Sequence, residues 1–329
     1  MPRHNPRPMA RTDILLVSLG GTAGLRIADD ALAASMRRAG ASVATVRARA
    51  AREPRTFALT DLAWAVPARR AAAAALPDAQ PRAIVYSTTT AALLWPAPGA
   101  IRFDAPAAGN RPGRHGVWQR PVERRRFAAA PLLVPCSEGG LAEAPLPHAP
   151  ALVVPIAVER SGAPGERDIA AVTYGANPAK KGLDRVLAAW RAARRPGETL
   201  VVTGLEGSDG DGVRYAGMVA PGEYRALLRR ARVFVAAPRR EDYGAAQLEA
   251  LADGCLLVTT ATPGPYAALP LARALDARLV TGDLARALRV ALDDPPAGYA
   301  ERAAEALAPW RPEAVDRVVA QELMPRLAS

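Results

Sequence analysis

The sequence predicts an α/β protein built from two doubly wound, mostly parallel sheets, and three observations predict it. Short apolar runs alternate with helical stretches through both halves of the chain. A stretch rich in glycine, proline and charge, "VERSGAPGERD" (158–168), separates the halves. The length of 329 residues exceeds the ~100 to 200 expected of one domain. The expected organisation is a first domain at 1–157, a linker at 158–168, a second domain at 169–311, and a closing helix at 312–329 that packs back on the first domain.

The elements follow in order. "DILLVSLGG" (13–21) reads as a buried strand, "GLRIADDALAASMRRAG" (24–40) as an amphipathic helix closed by Gly40, and "ASVATVRA" (41–48) as the next strand, a βαβ unit. The alanine run at 71–75 favours helix. Further strands are predicted at 82–87, 100–104, 132–137 and 151–156, with a helix across 116–130. Ser137 reads as the N-cap of a helix beginning at Glu138. In the second half, strands at 169–175, 199–204, 213–219, 233–238 and 256–260 alternate with helices at 181–195, 222–231 and 244–254. Trp118 and Trp190 fall on helix faces and read as packing residues. Sheets of this type take ligands at the carboxyl ends of their strands, and two such edges facing each other would form a cleft.

The formal charge is +11, from 43 basic residues of which 41 are arginine; the two lysines are Lys180 and Lys181. Outside "VERRRF" (122–127) the charge is scattered, with no aromatic interleaving and no zinc-finger spacing, so nucleic acid is set aside as a partner. An anionic membrane surface is compatible with it, because scattered arginines would be attracted without leaving a sequence signature. Cys136 and Cys255 are far apart and neither has a metal-ligand or CxxC neighbour, which excludes a disulfide framework. The basic first dozen residues and the short apolar run that ends at Gly20-Gly21 read as a frayed terminus before a buried strand rather than a signal peptide. No run approaches the ~18 apolar residues of a spanning helix. The expectation is a cytoplasmic protein, with peripheral membrane contact as the one addition its charge permits.

The residues suited to chemistry cluster in the second half. Glu241 falls in a loop after a strand, Gly244 opens a helix, and Glu249 lies further along that helix. Two carboxylates so placed can contact different parts of one elongated ligand, and carboxylates suit vicinal hydroxyls of sugars and ribose. The helix start at Gly244, Ala245 and Ala246 offers free amides and a positive dipole end to a phosphate. Lys180 and Lys181 precede or begin the helix "GLDRVLAAW", where cations oppose the macrodipole by ~0.3 to 1 kcal/mol each unless an anion sits between. In the first half, Gly20 and Gly21 in a strand-to-helix turn allow close backbone approach to a ligand but lack the GxGxxG spacing of a dinucleotide fingerprint. The loop "FDAPAAGNRPGRHG" (103–116) offers Asp104, Asn110, Arg111 and His115. No Ser/His/Asp or Cys/His set is apparent.

The ordered set "KGLDRVLAAW", "YAGMV", "LLRRARVFVAAP", "REDYGAAQLEALADGCLLVTT" and "PG", from about Ile169 to Gly264, resembles retaining glycosyltransferases of the GT-B fold, family four. The resemblance implies two Rossmann-like domains facing across a cleft and transfer of a sugar from a nucleotide-sugar donor to a glycan, lipid or small-molecule acceptor. It implies no metal and no cofactor, the nucleotide sugar being a substrate. Glu241 would then hold the transferred sugar near its reacting centre, Glu249 the ribose, and Lys181 the diphosphate, with Lys180, Gly20 and Gly21 on the donor side. Asp104, Asn110, Arg111 and His115 would stand on the acceptor side. The departing diphosphate would help deprotonate the acceptor on the same face, and domain closure would exclude water. The family usually has an arginine five residues before its diphosphate lysine; here Ala176 follows Gly175. Asn177, Lys180 or an arginine from elsewhere are the candidate replacements. Two other readings stay open: a non-catalytic sugar-nucleotide-binding or scaffold protein, and a sugar-nucleotide epimerase.

Overall fold

The computed structural model describes residues 12–49, 57–163 and 165–328. The N-terminal segment expected to fray, including His4, lies outside the described residues up to position 11. The chain divides into two compact units: one comprises the first half to Ile156 together with the segment from Glu313, the other spans Ala157–Pro312.

The first unit contains β1 (Ile14–Ser18), β2 (Val43–Arg47), β3 (Ala83–Tyr86), β4 (Ala100–Phe103) and β5 (Leu133–Pro135) in the order β2-β1-β3-β4-β5. All neighbours are parallel. Runs such as "ILLVS" are buried at every position, as expected of strands covered on both faces. Leu15, Val17, Tyr86, Ile101, Phe103 and Leu133 form the core. Against them pack Ala68 and Ala72 of the helix Phe57–Ala79 and Phe127 of the helix Gln119–Ala129, whose ring lies 4.8 Å from that of Phe103. The closing segment is fixed to the helix Ala23–Arg38: Asp316 accepts from Arg38 Nε at 2.7 Å and Nη2 at 2.6 Å, and from Ser35 Oγ at 2.6 Å.

One expected strand is corrected. Residues 151–156 run alongside β5, with Leu133 donating to Pro150 O at 2.9 Å, Leu152 to Leu133 O at 2.9 Å and Val154 to Pro135 O at 3.0 Å, yet only a single bridge forms, at Ala151. The bond that would continue the ladder needs an N–H from residue 135, and Pro135 has none. The apolar run is readable in the sequence; the missing donor is on the neighbouring strand.

The second unit contains β6 (Ile169–Tyr174), β7 (Leu200–Thr203), β8 (Val213–Gly217), β9 (Ala231–Ala236) and β10 (Leu256–Thr259), in the order β10-β9-β6-β7-β8 and again parallel throughout. Here the first strand of the unit, β6, is flanked by β7 on one side and β9 on the other. The chain therefore winds outward in opposite directions from the β6/β9 junction, and helices leave to opposite faces there. Such a reversal opens a crevice at the carboxyl ends of the two strands, the place where open sheets of this kind bind ligands. The predicted helix 181–195 is corrected too: Gly182, at φ 62°, breaks it into a single turn Pro178–Lys181 and the helix Leu183–Ala193. Trp190 of that helix is fully buried and donates to Gly212 O at 3.0 Å, the packing role its spacing predicts.

Candidate functional site

The loops leaving β6 and β9 at this junction carry the lysine pair and the first of the two glutamates. After β6, Asn177 adopts the left-handed conformation (φ 55°) and caps the next turn, its side chain accepting from Lys180 N at 3.2 Å. Pro178 starts that turn and Gly182 closes it. Only glycine fits at 182: a Cβ would lie 2.0 Å from Ala237 O, in the loop after β9. Arg239 N then donates to Lys180 O at 2.9 Å, so the two loops are joined by backbone contact as well as by side chains.

Lys181 Nζ donates to Glu241 Oε2 at 2.8 Å, and Gln247 Nε2 donates to the same oxygen at 3.0 Å. Lys180 Nζ is bonded to Asp242 Oδ2, and Arg240 Nε reaches Asp242 Oδ1 at 3.1 Å. Both lysines thus precede the long helix, and adjacent carboxylates, rather than the solvent or the helix end, balance them. Exposure differs: Glu241 and Asp242 retain 6% and 12% of their side-chain surface, Lys181 and Lys180 22% and 40%. Lys181 borders a small cavity with Thr173, Tyr174, Pro238, Ala246 and Gln247.

Gly244 (φ 89°) precedes the helix Ala245–Ala252, and a Cβ on it would lie 2.9 Å from the Tyr266 ring, so the turn into the helix is tight. The amides of Ala245 and Ala246 have no acceptor within the helix. Glu249 is half-buried on this helix. Burial raises its carboxyl above the usual carboxylate range, the Arg225 guanidinium opposes that shift, and Asp253 adds to it. Arg225 Nη1 lies 3.9 Å from Glu249 Oε1, and Arg225 Nε is bonded to Asp253 Oδ2 at 2.6 Å.

Sequence reasoning did not foresee Gln247, Asp242, Arg225 or Asp253. Gln247, 2% exposed, is a polar residue on an otherwise apolar helix face and was legible as an oddity. The other three act through partners distant in sequence. Of the candidate replacements for the arginine absent at 176, Asn177 uses its side chain as a cap and Lys180 is held by Asp242. Arg239 is committed to Asp184 at 2.7 and 3.0 Å.

The first-unit candidates belong to a different setting. Gly20 (φ 61°) and Gly21 follow β1, and Arg26 Nη1 donates to Gly20 O at 2.8 Å. Asp104 Oδ1 accepts from Ala105 N at 2.8 Å, Asn110 Nδ2 is 3.5 Å from Ala105 O, and His115 is exposed. Arg111 is bound bidentately by Asp61, at 2.8 Å through Nε and 3.0 Å through Nη2. Gln119 Nε2 joins the same carboxylate at 3.1 Å. Glu123 is buried and accepts from Ala107 N with both oxygens, at 2.8 and 3.0 Å; burial pushes its carboxyl up to about 7. Ser137 caps its helix as expected, accepting from Gly140 N at 3.1 Å. Among the described residues no cluster of three or more His, Cys, Asp or Glu is arranged to hold a metal ion, and no helix is long and apolar enough to cross a membrane.

Two parallel five-stranded sheets, one with paired carboxylates and lysines at its topological reversal, define a doubly wound α/β protein. The family model described as "Glycosyl transferases group 1" matches residues 168–307. Sucrose-phosphate synthase from Thermosynechococcus elongatus superposes with a TM-score of 0.68 at 16% identity, over 97% of this chain and 100% of its own. WaaG, a glycosyltransferase involved in lipopolysaccharide biosynthesis, gives 0.68 at 14% identity over 93% and 99%. Anabaena HepE, in complex with UDP and glucose, gives 0.69 at 14% over 96% and 100%. Among curated proteins no sequence matches. The chain has the GT-B fold of these neighbours, and its residues 168–307 are similar to the group 1 glycosyltransferases.

Proposed function

We propose that this protein transfers a sugar from a nucleoside-diphosphate sugar to a glycan, lipid or small-molecule acceptor, with retention of configuration and without a metal. The observation that carries the reading is the Lys181–Glu241–Gln247 contact at the β6/β9 reversal. A diphosphate arriving there draws Lys181 away from Glu241, and the Gln247 amide keeps Glu241 from being left as an unpartnered buried charge. Glu241 is then available to a sugar hydroxyl, while Lys181 and the amides of Ala245 and Ala246 offset the charge that grows on the leaving diphosphate. Glu249 accepts from the ribose hydroxyls. As the bond from the anomeric carbon to the diphosphate oxygen breaks, the acceptor oxygen bonds to that carbon from the same face and its proton passes to the diphosphate. No protein nucleophile is required. HepE is described in complex with UDP and glucose, which makes UDP-glucose the first donor to test.

A second reading, a sugar-nucleotide binder without catalysis, is favoured by Ala176 and by the pairing of both lysines with carboxylates. One experiment separates the two. Purified protein is incubated with UDP-, GDP- and ADP-sugars, and release of nucleoside diphosphate and transfer to sugar acceptors are followed by mass spectrometry. The transferase reading expects release with one donor class and its loss in Lys181→Ala. Nucleotide-dependent thermal stabilisation without any turnover would instead establish the binder.

A further inference from the structure

Glu249 does not stand alone on its helix. Asp253 follows it by four residues, at the helix C-cap, and its side chain is fully buried. Two carboxylates so spaced repel each other, and the repulsion grows where water is excluded. Between them stands Arg225 of the helix Pro221–Arg230. Its Nε is bonded to Asp253 Oδ2 at 2.6 Å and its Nη2 to Glu159 O at 2.6 Å, while Nη1 is left facing Glu249 Oε1 at 3.9 Å. Asp253 is itself held by Ser161, through N at 2.8 Å and Oγ at 2.9 Å. The guanidinium is thus pinned on two sides and has one edge directed at Glu249.

We propose that Arg225 is a positioning residue for Glu249: anchored by Asp253 and the Glu159 carbonyl, it keeps the Glu249 carboxylate charged and oriented to accept hydrogen bonds from a ligand's hydroxyls. The ligand part rests on the reading of Glu249 as the ribose-binding residue; the control of its ionisation does not. The titratable groups facing Glu249 are Arg225 and Tyr224 from the helix Pro221–Arg230, Tyr174 from β6, and Asp253 from the end of its own helix. Both tyrosines are shifted upward, by burial first and then by the Glu249 charge, so both are neutral near pH 7. Arg225 is the cation of this set, and burial and Asp253 oppose it in setting the charge on Glu249. The Tyr224 hydroxyl is buried without a hydrogen-bond partner, so it does not take over that role.

The test measures ionisation and binding separately. The carboxyl resonance of Glu249 is followed against pH in full-length protein labelled with carbon-13 at glutamate, and identified by its loss in Glu249→Gln. In Arg225→Met its midpoint is expected to rise by about one pH unit or more, and in Arg225→Lys to stay near the parent value. Arg225→Met/Asp253→Asn removes both buried partners, so that a folded protein remains if the single variant fails to fold. Asp253→Asn alone is the reference for the double variant, whose midpoint is again expected to lie higher. An unchanged midpoint in a folded Arg225 variant overturns the proposal. UDP affinity is then measured by calorimetry. The expected loss in Arg225→Met is severalfold below the variant's own measured midpoint and is recovered well above it, because ionised Glu249 is the better acceptor. A loss independent of pH overturns the proposal in favour of a packing role. A raised midpoint with unaltered UDP affinity, in Arg225→Met and in Glu249→Gln alike, leaves the ionisation control standing and refutes the ribose assignment.

Discussion

In the first unit Asp61 takes Arg111 through two bonds, at 2.8 and 3.0 Å, and Gln119 at 3.1 Å. In the second, Glu241 takes Lys181 through one bond at 2.8 Å and Gln247 at 3.0 Å. Both carboxylates retain 6% of their side-chain surface, both are held by a cation and a glutamine amide, and both cations retain 22%. The difference is the cation. A guanidinium fork fits both carboxylate oxygens and fixes the loop that carries it, whereas an ammonium on four methylenes is a point charge that can swing to another anion. The two lysines of an otherwise arginine-based sequence stand at the β6/β9 reversal, where the proposed function has Lys181 exchange Glu241 for a diphosphate. In the first unit the Arg111 fork anchors the loop after β4 to Asp61.

The largest effect expected from this contrast is on stability in the first unit. Asp61→Ala leaves Arg111 and Gln119 without their shared acceptor and should cost about 3 to 5 kcal/mol in chemical denaturation. A loss under about 1 kcal/mol would mean that the fork holds nothing. Next comes catalysis in the second unit. Lys181→Ala should lower turnover of the accepted donor about 10²- to 10³-fold, and Lys181→Arg should restore little of it, because the fork would settle on Glu241 as Arg111 does on Asp61. Full activity in Lys181→Arg would remove the distinction drawn here. The smallest effect concerns Glu123. Its carboxyl, raised to about 7 by burial, favours folding in its protonated form, so its contribution is complete below the unfolded value near 4.5 and is lost as pH rises through about 7. Between pH 5 and 8 the stability of the parent should therefore fall relative to Glu123→Gln, by on the order of 1 kcal/mol. Parallel pH profiles would contradict that assignment.

Much of this was legible in the sequence because it is local. The βα alternation, the Ser137 cap and the loop-to-helix placement of Glu241, Gly244 and Glu249 depend on residues a few positions apart. What the sequence hides is long-range: Pro135 denies β5 the donor that would make a strand of 151–156, and Gly182 yields to the Ala237 carbonyl. The pairings of Arg111 with Asp61 and of Arg225 with Asp253 likewise join residues from separate elements. A side chain's composition predicts that it needs a partner; only the fold supplies which one.

In the proposed function Lys181 serves a diphosphate and Glu249 a ribose. Calorimetric affinities of the nucleoside and of its diphosphate, for the base the protein prefers, test it in the parent, Lys181→Ala and Glu249→Gln. Lys181→Ala is expected to abolish most of the gain from nucleoside to diphosphate and to leave nucleoside affinity unchanged, while Glu249→Gln is expected to weaken both ligands by a similar factor. Equal weakening of both ligands by Lys181→Ala, or no effect of either substitution, would contradict it.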